Sequence, residues 1–465
     1  MNLKHRPSWM YAFEARNPDL IISENEYRAR NAFNRDLGIV VHSNFFKRLS
    51  HKTQVYSLPF NDHVHTRLTH SIEASQIGRQ IARYFCLQVV RKIIHDDSYY
   101  KFASELEELT AAACLAHDVG HAPFGHEGKE IIEAFCKDKG ESHLFDDNKQ
   151  VVRILLNEIW IEKIKPSGPF VASILKKREV QKNCYSSELG ALNSILEKLN
   201  LTEIRHPASL FMEAADDIAY LSGDLLDFLA IYSSEKESIG DVTKFSSFSS
   251  LKCIDGSGKE ESKTLDVYFN EAIKSSNEQK IQDFSDNFLR ISLDHVFKVI
   301  DNFANIFLSK QPSLEGIPGE LCNFLSTHAP GKANKKDENL LYSLCVGNNG
   351  QTLFDLKKQI YQGTILNEPF IREQDKLAKI VLNGILNEMY SLSNSSALTE
   401  IEVFNKLPVE AQAYLETASK QQKLFPAIID LVSGMTDRYA VAFWKEIAGL
   451  SAMDRLNSRP FRKVS

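Results

Sequence analysis

Features that would point to a secreted, membrane or metal-ribbon protein are scarce in this chain of 465 residues. The seven cysteines are scattered and odd in number, and no two form a CxxC pair. Cys86, Cys114 and Cys136 stand among apolar neighbours, which predicts reduced, buried thiols. The first twenty residues hold no apolar run typical of a signal peptide, and no stretch approaches the ~18 apolar residues of a spanning helix. We therefore expect a soluble, cytoplasmic protein.

An excess of positive charge is also missing. There are 55 Lys and Arg against 61 Asp and Glu, so the formal net charge is −6. This balance argues against a protein that coats nucleic acid, and substrate attraction must come from clustered charge. Basic clusters at Lys47–Arg48, at Lys176–Arg178 and in the tail from residue 455 to 463 keep a groove for single-stranded DNA as an alternative.

Alternating strand patterns are scarce, whereas helical periodicity dominates. Apolar residues from Ile72 to Ile93 predict one long amphipathic helix, and further helices are predicted near 104–118 and 210–229. Gly and Pro gather between such segments. The sequence therefore predicts an all-α fold with at most a short hairpin or two.

Composition divides the chain into three regions. Residues 1–232 form the predicted catalytic region and contain the metal-ligand candidates. Residues 233–350 are helical with loop-like insertions that are rich in Ser, Lys, Glu and Gly. Residues 351–465 form a C-terminal helical region.

Histidine is concentrated in one part of the chain, since nine of the fourteen lie between His42 and His126. The densest group is the run AHDVGHAPFGH, which contains His117, Asp118 and His121. Hydrolytic metal centres use imidazoles and carboxylates as ligands and leave a position open for water and substrate. Histidines and aspartates from separate helices would make a mixed nitrogen and oxygen site, suited to Mg, Mn or Fe.

Five blocks occur in order from Asn34 to Ala440: NRDLGIVVHSNFFKRLSHKTQVY, DHVHTRLTHSIEASQIGRQIA, AHDVGHAPFGHEG, FMEAADDIAYLSGDLLD and DLVSGMTDRYA. Together they resemble the deoxyguanosine triphosphate triphosphohydrolase family of the HD-domain phosphohydrolase superfamily. The resemblance implies an all-α HD core with an additional C-terminal helical region that completes the nucleotide pocket. It also implies a divalent metal ion (Mg or Mn first, with Fe, Co or Zn as alternatives) and a homo-oligomer, often a hexamer. The implied reaction converts a deoxynucleoside triphosphate, dGTP above all, to nucleoside and tripolyphosphate.

The resemblance implies the metal ligands His70, His117, Asp118 and Asp216. Asp217 is an alternative to Asp216. The family has a Tyr and an Asp four and eight residues after its ligand, and Tyr220 and Asp224 fit only Asp216. Positions four apart share a helix face, which agrees with that choice.

The same resemblance assigns further roles. His126 matches the catalytic histidine beside the scissile bond, and His121 matches a histidine that touches the α-phosphate. The family has an acidic residue three positions after the catalytic histidine, but here that position is Lys129, so Glu130 is the candidate partner of His126. The implied substrate-binding residues are Gln54, Arg67, Tyr220, Asp224, Asn148, Lys357 and Tyr361.

Two other functions remain open at this point. A related HD phosphohydrolase acting on monophosphates, cyclic dinucleotides or alarmones would share the ligand set and differ in its product. A single-stranded nucleic-acid-binding protein with a regulatory HD site would bind DNA with steep salt dependence.

Overall fold

The fold is built almost entirely from helices. The computed structural model describes residues 6–22, 31–56, 64–141, 143–156, 166–234, 251–254, 260–275, 278–310, 312–327, 369–394 and 397–450. Within these ranges there are seventeen α-helices and four short strands. The predicted all-α fold is confirmed.

The helices of the first part of the chain are α1 (Ala32–His42), α2 (Asn44–Arg48), α3 (Arg67–Gln88), α4 (Ser98–Ala116), α5 (Gly125–Asp138), α6 (Asp147–Leu156), α7 (Gly168–Ala172), α8 (Leu189–Lys198) and α9 (Pro207–Ser234). Those of the second part are α10 (Leu265–Ser275), α11 (Glu278–Leu308), α12 (Ile317–Thr327), α13 (Pro369–Tyr390), α14 (Glu402–Asn405), α15 (Val409–Lys420), α16 (Leu424–Ser433) and α17 (Asp437–Ile447).

The four strands form two small antiparallel hairpins. Strand β1 (Phe13–Glu14) pairs with β2 (Asn17–Ile21), and β3 (Lys252–Ile254) pairs with β4 (Glu260–Thr264). The second hairpin lies in the segment predicted as a loop-like insertion, of which residues 235–250 and 255–259 lie outside the described part of the chain. None of the helices that the structure describes is long and apolar enough to cross a membrane.

Helices α3, α4 and α9 pack against one another and carry most of the candidate site. Gly78 on α3 lies where they meet, since a Cβ there would stand 2.7 Å from Cys114 Sγ and 3.6 Å from Ala215 Cβ. A side chain at this position would force the helices apart. Glycine therefore allows the close approach that brings the three helices together.

Helix α3 differs from its sequence prediction at both ends. It ends at Gln88 and is followed by a 3₁₀ turn, and Ile72, expected on the apolar stripe, is 46% exposed. It begins at Arg67 because Thr66 and Thr69 form a capping box, each side chain accepting from the other's backbone N–H. His70 therefore lies inside the first turn of α3 and not before the helix.

Two hydrophobic cores hold the helices. The first runs from Trp9 to Leu325 and includes α3, α4, α9 and α11. The second joins the apolar face of α5 to helices α13 to α17. Helix α5 therefore connects the loop after α4 to the C-terminal helices. Cys86, Cys114 and Cys136 are buried and free, as predicted.

Candidate metal centre and active site

Three side chains from three helices converge on one point. His70 comes from α3, His117 follows the last residue of α4, and Asp216 lies on α9. The Nε2 atoms of His70 and His117 lie 3.0 and 3.1 Å from Asp216 Oδ1. One ligand atom from each residue lies within 4.8 Å of the other two, so the group could hold a metal ion.

The ring of His117 is oriented as a metal ligand would be. Its Nδ1 donates to the carbonyl oxygen of Cys114 at 2.6 Å, so Nε2 presents its lone pair toward Asp216 in the neutral form. Burial acts to lower the pKa of His117, but the carboxylates of Asp118 and Asp216 outweigh it and raise the pKa. Two carboxylates therefore lie close to this imidazole, and such a mixed set of donors suits a divalent cation.

Asp118 borders the group. Its Oδ1 lies 3.2 Å from His117 Nε2, and its Oδ2 accepts a hydrogen bond of 2.8 Å from the buried guanidinium of Arg67. Burial by itself would raise the pKa of Asp118, yet the charges of His117 and Arg67 hold the pKa well below its ordinary value. Asp118 therefore stays ionised. The predicted ligands thus lie together with Arg67, the arginine that is predicted to bind phosphate.

A second cation, Lys176, contacts the oxygen of Asp216 that does not face the two histidines. Lys176 Nζ donates to Asp216 Oδ2 at 3.1 Å. Burial would lower the pKa of Lys176, but Asp216 and Glu213 raise it above its ordinary value. Lys176 therefore remains charged beside Asp216, and the guanidinium of Arg67 pairs with Asp118. This arrangement places positive charge where an anionic substrate could meet a metal ion.

His121 lies between two carboxylates. Its Nδ1 is 3.2 Å from Asp118 Oδ1 and its Nε2 is 3.2 Å from Asp147 Oδ2. Burial and the nearby charge of Arg67 lower the pKa of His121 to about 4. The imidazole is therefore neutral at physiological pH and could donate a hydrogen bond.

His126 is the second residue of α5 and is largely exposed. Its Nε2 lies 3.1 Å from Glu130 Oε1, with side chains 59% and 60% exposed. Lys129, which stands where the family has an acid, instead donates to Asp147 Oδ1 at 2.6 Å. Within the described ranges, Glu130 is thus the carboxylate paired with His126, and no polar contact joins His126 to the metal-ligand group.

The predicted substrate-binding residues fall in different places. Gln54 is buried, and among the described residues its Oε1 has no hydrogen-bond donor. Tyr220 and Asp224 follow Asp216 on α9 at steps of four, so the three share one helix face. Asn148 is half-buried on α6. Lys357 and Tyr361 lie outside the described residues.

The sequence of the chain is also similar to those of known proteins. Residues 67–182 match the sequence model of the HD domain family. The chain is 26% identical to a deoxyguanosinetriphosphate triphosphohydrolase-like protein of Pseudomonas aeruginosa over 93% of this chain and 96% of that protein. A relative of the same name from Listeria monocytogenes is 26% identical over 91% of this chain and 95% of its own length. A third relative of that name, from Bartonella tribocorum, is 35% identical over 45% of this chain and 49% of its own length. The predicted resemblance is confirmed.

The segment that matches the HD domain family includes three of the predicted ligands, His70, His117 and Asp118, and it also includes Lys176. Asp216, Tyr220 and Asp224 lie beyond its end on α9, and Gln54 precedes it. Residues of the site therefore come both before and after the matched segment in the sequence.

Several residues of the site were not predicted from the sequence. Lys176 was taken as part of a basic surface cluster, but it faces Asp216, and Arg178 of the same run donates to the carbonyl oxygen of Cys322 at 3.1 Å. Asp147 was not among the predicted site residues, although it directly precedes the predicted Asn148. An acid beside a predicted site residue was the available signal for Asp147.

Of the other two basic clusters, only the pair Lys47–Arg48 lies within the described ranges. Arg48 is half-buried and donates to the carbonyl oxygen of Gly434 at 3.3 Å, while its neighbour Lys47 is exposed. The tail from residue 451 onward lies outside the described residues. Binding of single-stranded DNA stays a prediction.

Proposed function

We propose that this HD protein hydrolyses deoxynucleoside triphosphates, dGTP above all, to the deoxynucleoside and inorganic tripolyphosphate with the help of a divalent metal ion. The observation that carries the proposal is the convergence of His70, His117 and Asp216 beside the buried Arg67 and the half-buried Lys176. The names of the full-length relatives support the choice of substrate.

The metal-ligand set would be His70, His117, Asp118 and Asp216. A divalent ion held there would lower the pKa of a water molecule and neutralise charge that develops on phosphorus. Two imidazoles and two carboxylates suit Mn or Mg, with Fe, Co or Zn as alternatives. Because Arg67 already pairs with Asp118, and Lys176 with Asp216, the carboxylates are fixed before substrate binds.

The chain's own side chains would then act on the triphosphate. Water would add to the α-phosphorus as the bond from that phosphorus to the 5′ oxygen breaks, so that the nucleoside leaves and the oxygen of the water stays on the tripolyphosphate. His126 would protonate the 5′ oxygen of the departing nucleoside. His121, held neutral by its buried surroundings, would donate a hydrogen bond to the α-phosphate. Arg67 and Lys176 would attract and orient the phosphate oxygens.

The deoxyribose would lie against Gln54, Tyr220 and Asp224. A buried amide oxygen without a donor is costly to keep, and a sugar 3′-hydroxyl would supply that donor to Gln54. The ring of Tyr220 would pack against C2′ and exclude a ribose hydroxyl by sterics. Asn148, Lys357 and Tyr361 complete the proposed contacts. A homo-oligomer, up to a hexamer, and a cytoplasmic location stay predictions.

Product identity tests the proposal directly. Purified protein is incubated with each of the four dNTPs and with GTP, in Mn²⁺ or Mg²⁺, and the products are separated by chromatography. We expect tripolyphosphate and nucleoside, fastest from dGTP and slowest from GTP. Release of orthophosphate or pyrophosphate would instead identify another HD phosphohydrolase and refute the assignment.

A further inference from the structure

The turn that carries His126 has an unusual backbone. Phe124 and Gly125, which precede His126 directly, both have left-handed backbone angles, with φ of 62° and 59°. Glycine adopts this conformation readily, but a phenylalanine held there costs about 1–3 kcal/mol. Phe124 is the residue before α5 and makes no side-chain cap. Other groups must therefore hold this turn.

The group that holds the turn comes from the far end of the chain. Asp437, the first residue of α17, is only 2% exposed. Its Oδ1 accepts the backbone N–H of Phe124 at 2.8 Å. Its Oδ2 accepts the backbone N–H of Thr53 at 3.0 Å and also the Thr53 hydroxyl. One carboxylate thus joins the segment before His126 to the segment before Gln54.

Neighbouring contacts reinforce this connection. The ammonium group of Lys52 donates to the carbonyl oxygens of His121 and Ser433, the latter at 2.9 Å. A Cβ on Gly125 would lie 3.5 Å from the carbonyl oxygen of Gln54, so the turn rests on that backbone. The ring of Phe124 is buried in the second core. The C-terminal helices therefore contact this turn at the backbone of Phe124 and at its buried ring.

We propose that Asp437 is a positioning residue, which holds the left-handed turn so that His126 and Gln54 face the same substrate. This inference rests on the proposed function, because it assigns the SGMTDRYA segment a part in that reaction. Asp437 itself would touch neither substrate nor metal ion. It acts through the backbone of Phe124 and through Thr53.

Replacing Asp437 by Asn tests the proposal with little change in shape. An amide nitrogen cannot accept a hydrogen bond, so either Phe124 or Thr53 loses its partner. We expect kcat for tripolyphosphate release to fall about 100-fold, as expected for a displaced catalytic group. Affinity for Mn²⁺ should stay unchanged, because Asp437 contacts none of the proposed ligands.

The chain offers a matched control in Asp36. It too is fully buried, at 0% exposure, and accepts the backbone N–H of Ser167 at 3.0 Å and its hydroxyl at 2.5 Å. Asp36→Asn removes one such contact between α1 and the residue before α7, so it should lower thermal stability and leave kcat near that of the wild type. An equal loss of kcat in both variants would mean a general defect and would overturn the proposal.

A double-mutant cycle separates positioning from stability. In a His126→Ala background, Asp437→Asn should lower kcat by less than about tenfold, because only its effect through Thr53 and Gln54 remains. An undiminished 100-fold loss there would overturn the proposal. If Asp437→Asn fails to fold, Thr53→Val removes only the hydroxyl donor and provides the same cycle, with a smaller loss of kcat that again must shrink without His126.

Hydrogen exchange tests the connection without any substrate. Amides of residues 121–128 should exchange faster in Asp437→Asn than in the wild type or in Asp36→Asn, and unchanged exchange would overturn the inference. If the wild type releases no tripolyphosphate while this exchange pattern holds, the proposed function fails and the structural role of Asp437 stands.

Discussion

Lys176 Nζ donates to Oδ2 of Asp216 at 3.1 Å, while Oδ1 of the same carboxylate faces the two candidate ligand histidines. The aspartate is thus shared between an ammonium group and the position where a metal ion would lie. The ammonium and the ion would repel each other, yet both would attract a phosphate. Lys176 is therefore expected to weaken metal binding and to strengthen substrate binding.

Lys176→Met should separate these two effects. Without the ammonium charge, affinity for Mn²⁺ should rise roughly tenfold, which corresponds to about 1.4 kcal/mol. At the same time kcat/KM for dGTP should fall by about 100-fold, because a charge near the phosphates is lost. Calorimetric titration with Mn²⁺ and steady-state kinetics measure the two quantities. Lys177→Met, at the exposed adjacent position, serves as the control. A weaker affinity for Mn²⁺ in Lys176→Met would contradict this account.

Metal removal should affect stability as well as activity. Chelation with EDTA should abolish hydrolysis, and adding Mn²⁺ at 100 times its Kd should stabilise the fold by about 2.7 kcal/mol. This stabilisation can be measured as a rise in Tm on addition of Mn²⁺. Asp216→Ala should remove the Mn²⁺-dependent rise, because Asp216 contacts both imidazoles. Asp217→Ala, one residue further on the same helix, should keep it. The reverse result, with the rise lost only in Asp217→Ala, would identify Asp217 as the ligand.

The helical fold could be predicted because each helix repeats its apolar residues with a local period. The ligand candidates came from the family resemblance of their motifs and not from the His–Asp pair alone, since adjacent His and Asp also occur elsewhere in the chain, as at His95–Asp96. The start of α3 at Arg67 was missed, since Thr66 and Thr69 cap each other without the acidic residue that usually marks a capping box.

Contacts between distant segments could not be predicted in the same way. Nothing in the run Lys176–Lys177 distinguishes the lysine that turns toward Asp216 from the one that faces solvent. Asp437 and Thr53 are 384 residues apart, and only the packing of the C-terminal helices brings them together. Local periodicity carries no information about such pairs.

Gln54 should determine whether a 3′-hydroxyl is required. In the wild type, dGTP should be hydrolysed at least tenfold more efficiently than the dideoxy analogue, because Oε1 of Gln54 gains a donor only from the 3′-hydroxyl. Gln54→Ala should reduce this ratio of kcat/KM values toward one. Gln150→Ala removes another buried amide, which bonds Asp430, and should leave the ratio unchanged. A ratio that survives in Gln54→Ala would exclude the proposed contact.

His126 and Glu130 should contribute unequally. Loss of a general acid lowers rate by about 10²- to 10⁴-fold, so His126→Gln should reduce kcat within that range. Glu130 pairs with His126 across an exposed contact, and such pairs contribute at most about 1 kcal/mol. Glu130→Gln should therefore lower kcat by less than about tenfold. Single-turnover release of tripolyphosphate measures both. Equal losses in the two variants would mean that Glu130, and not only His126, takes part in the chemical step.

The contacts of His65 should stabilise the fold at acidic and neutral pH and lose this effect at alkaline pH. Its Nδ1 lies 2.6 Å from Asp227 on α9, and its Nε2 lies 2.9 Å from Glu73 on α3. Burial acts to lower the pKa of His65, but hydrogen bonds to Asp227 and Glu73 outweigh it and raise the pKa to about 10. Because the folded pKa exceeds the unfolded one, the stabilisation is complete below pH ~6.5 and is lost as pH rises through about 10.

His65→Gln should therefore be destabilised by about 3–5 kcal/mol at pH 6 and by much less at pH 10.5, measured as the free energy of unfolding in urea. The difference between variant and wild type is the quantity to follow, because burial lowers the pKa of Lys52 to about 7 and makes its contribution to stability rise with pH. A constant difference from pH 6 to 10.5 would show that His65 stabilises α3 against α9 by packing alone, without an imidazolium charge.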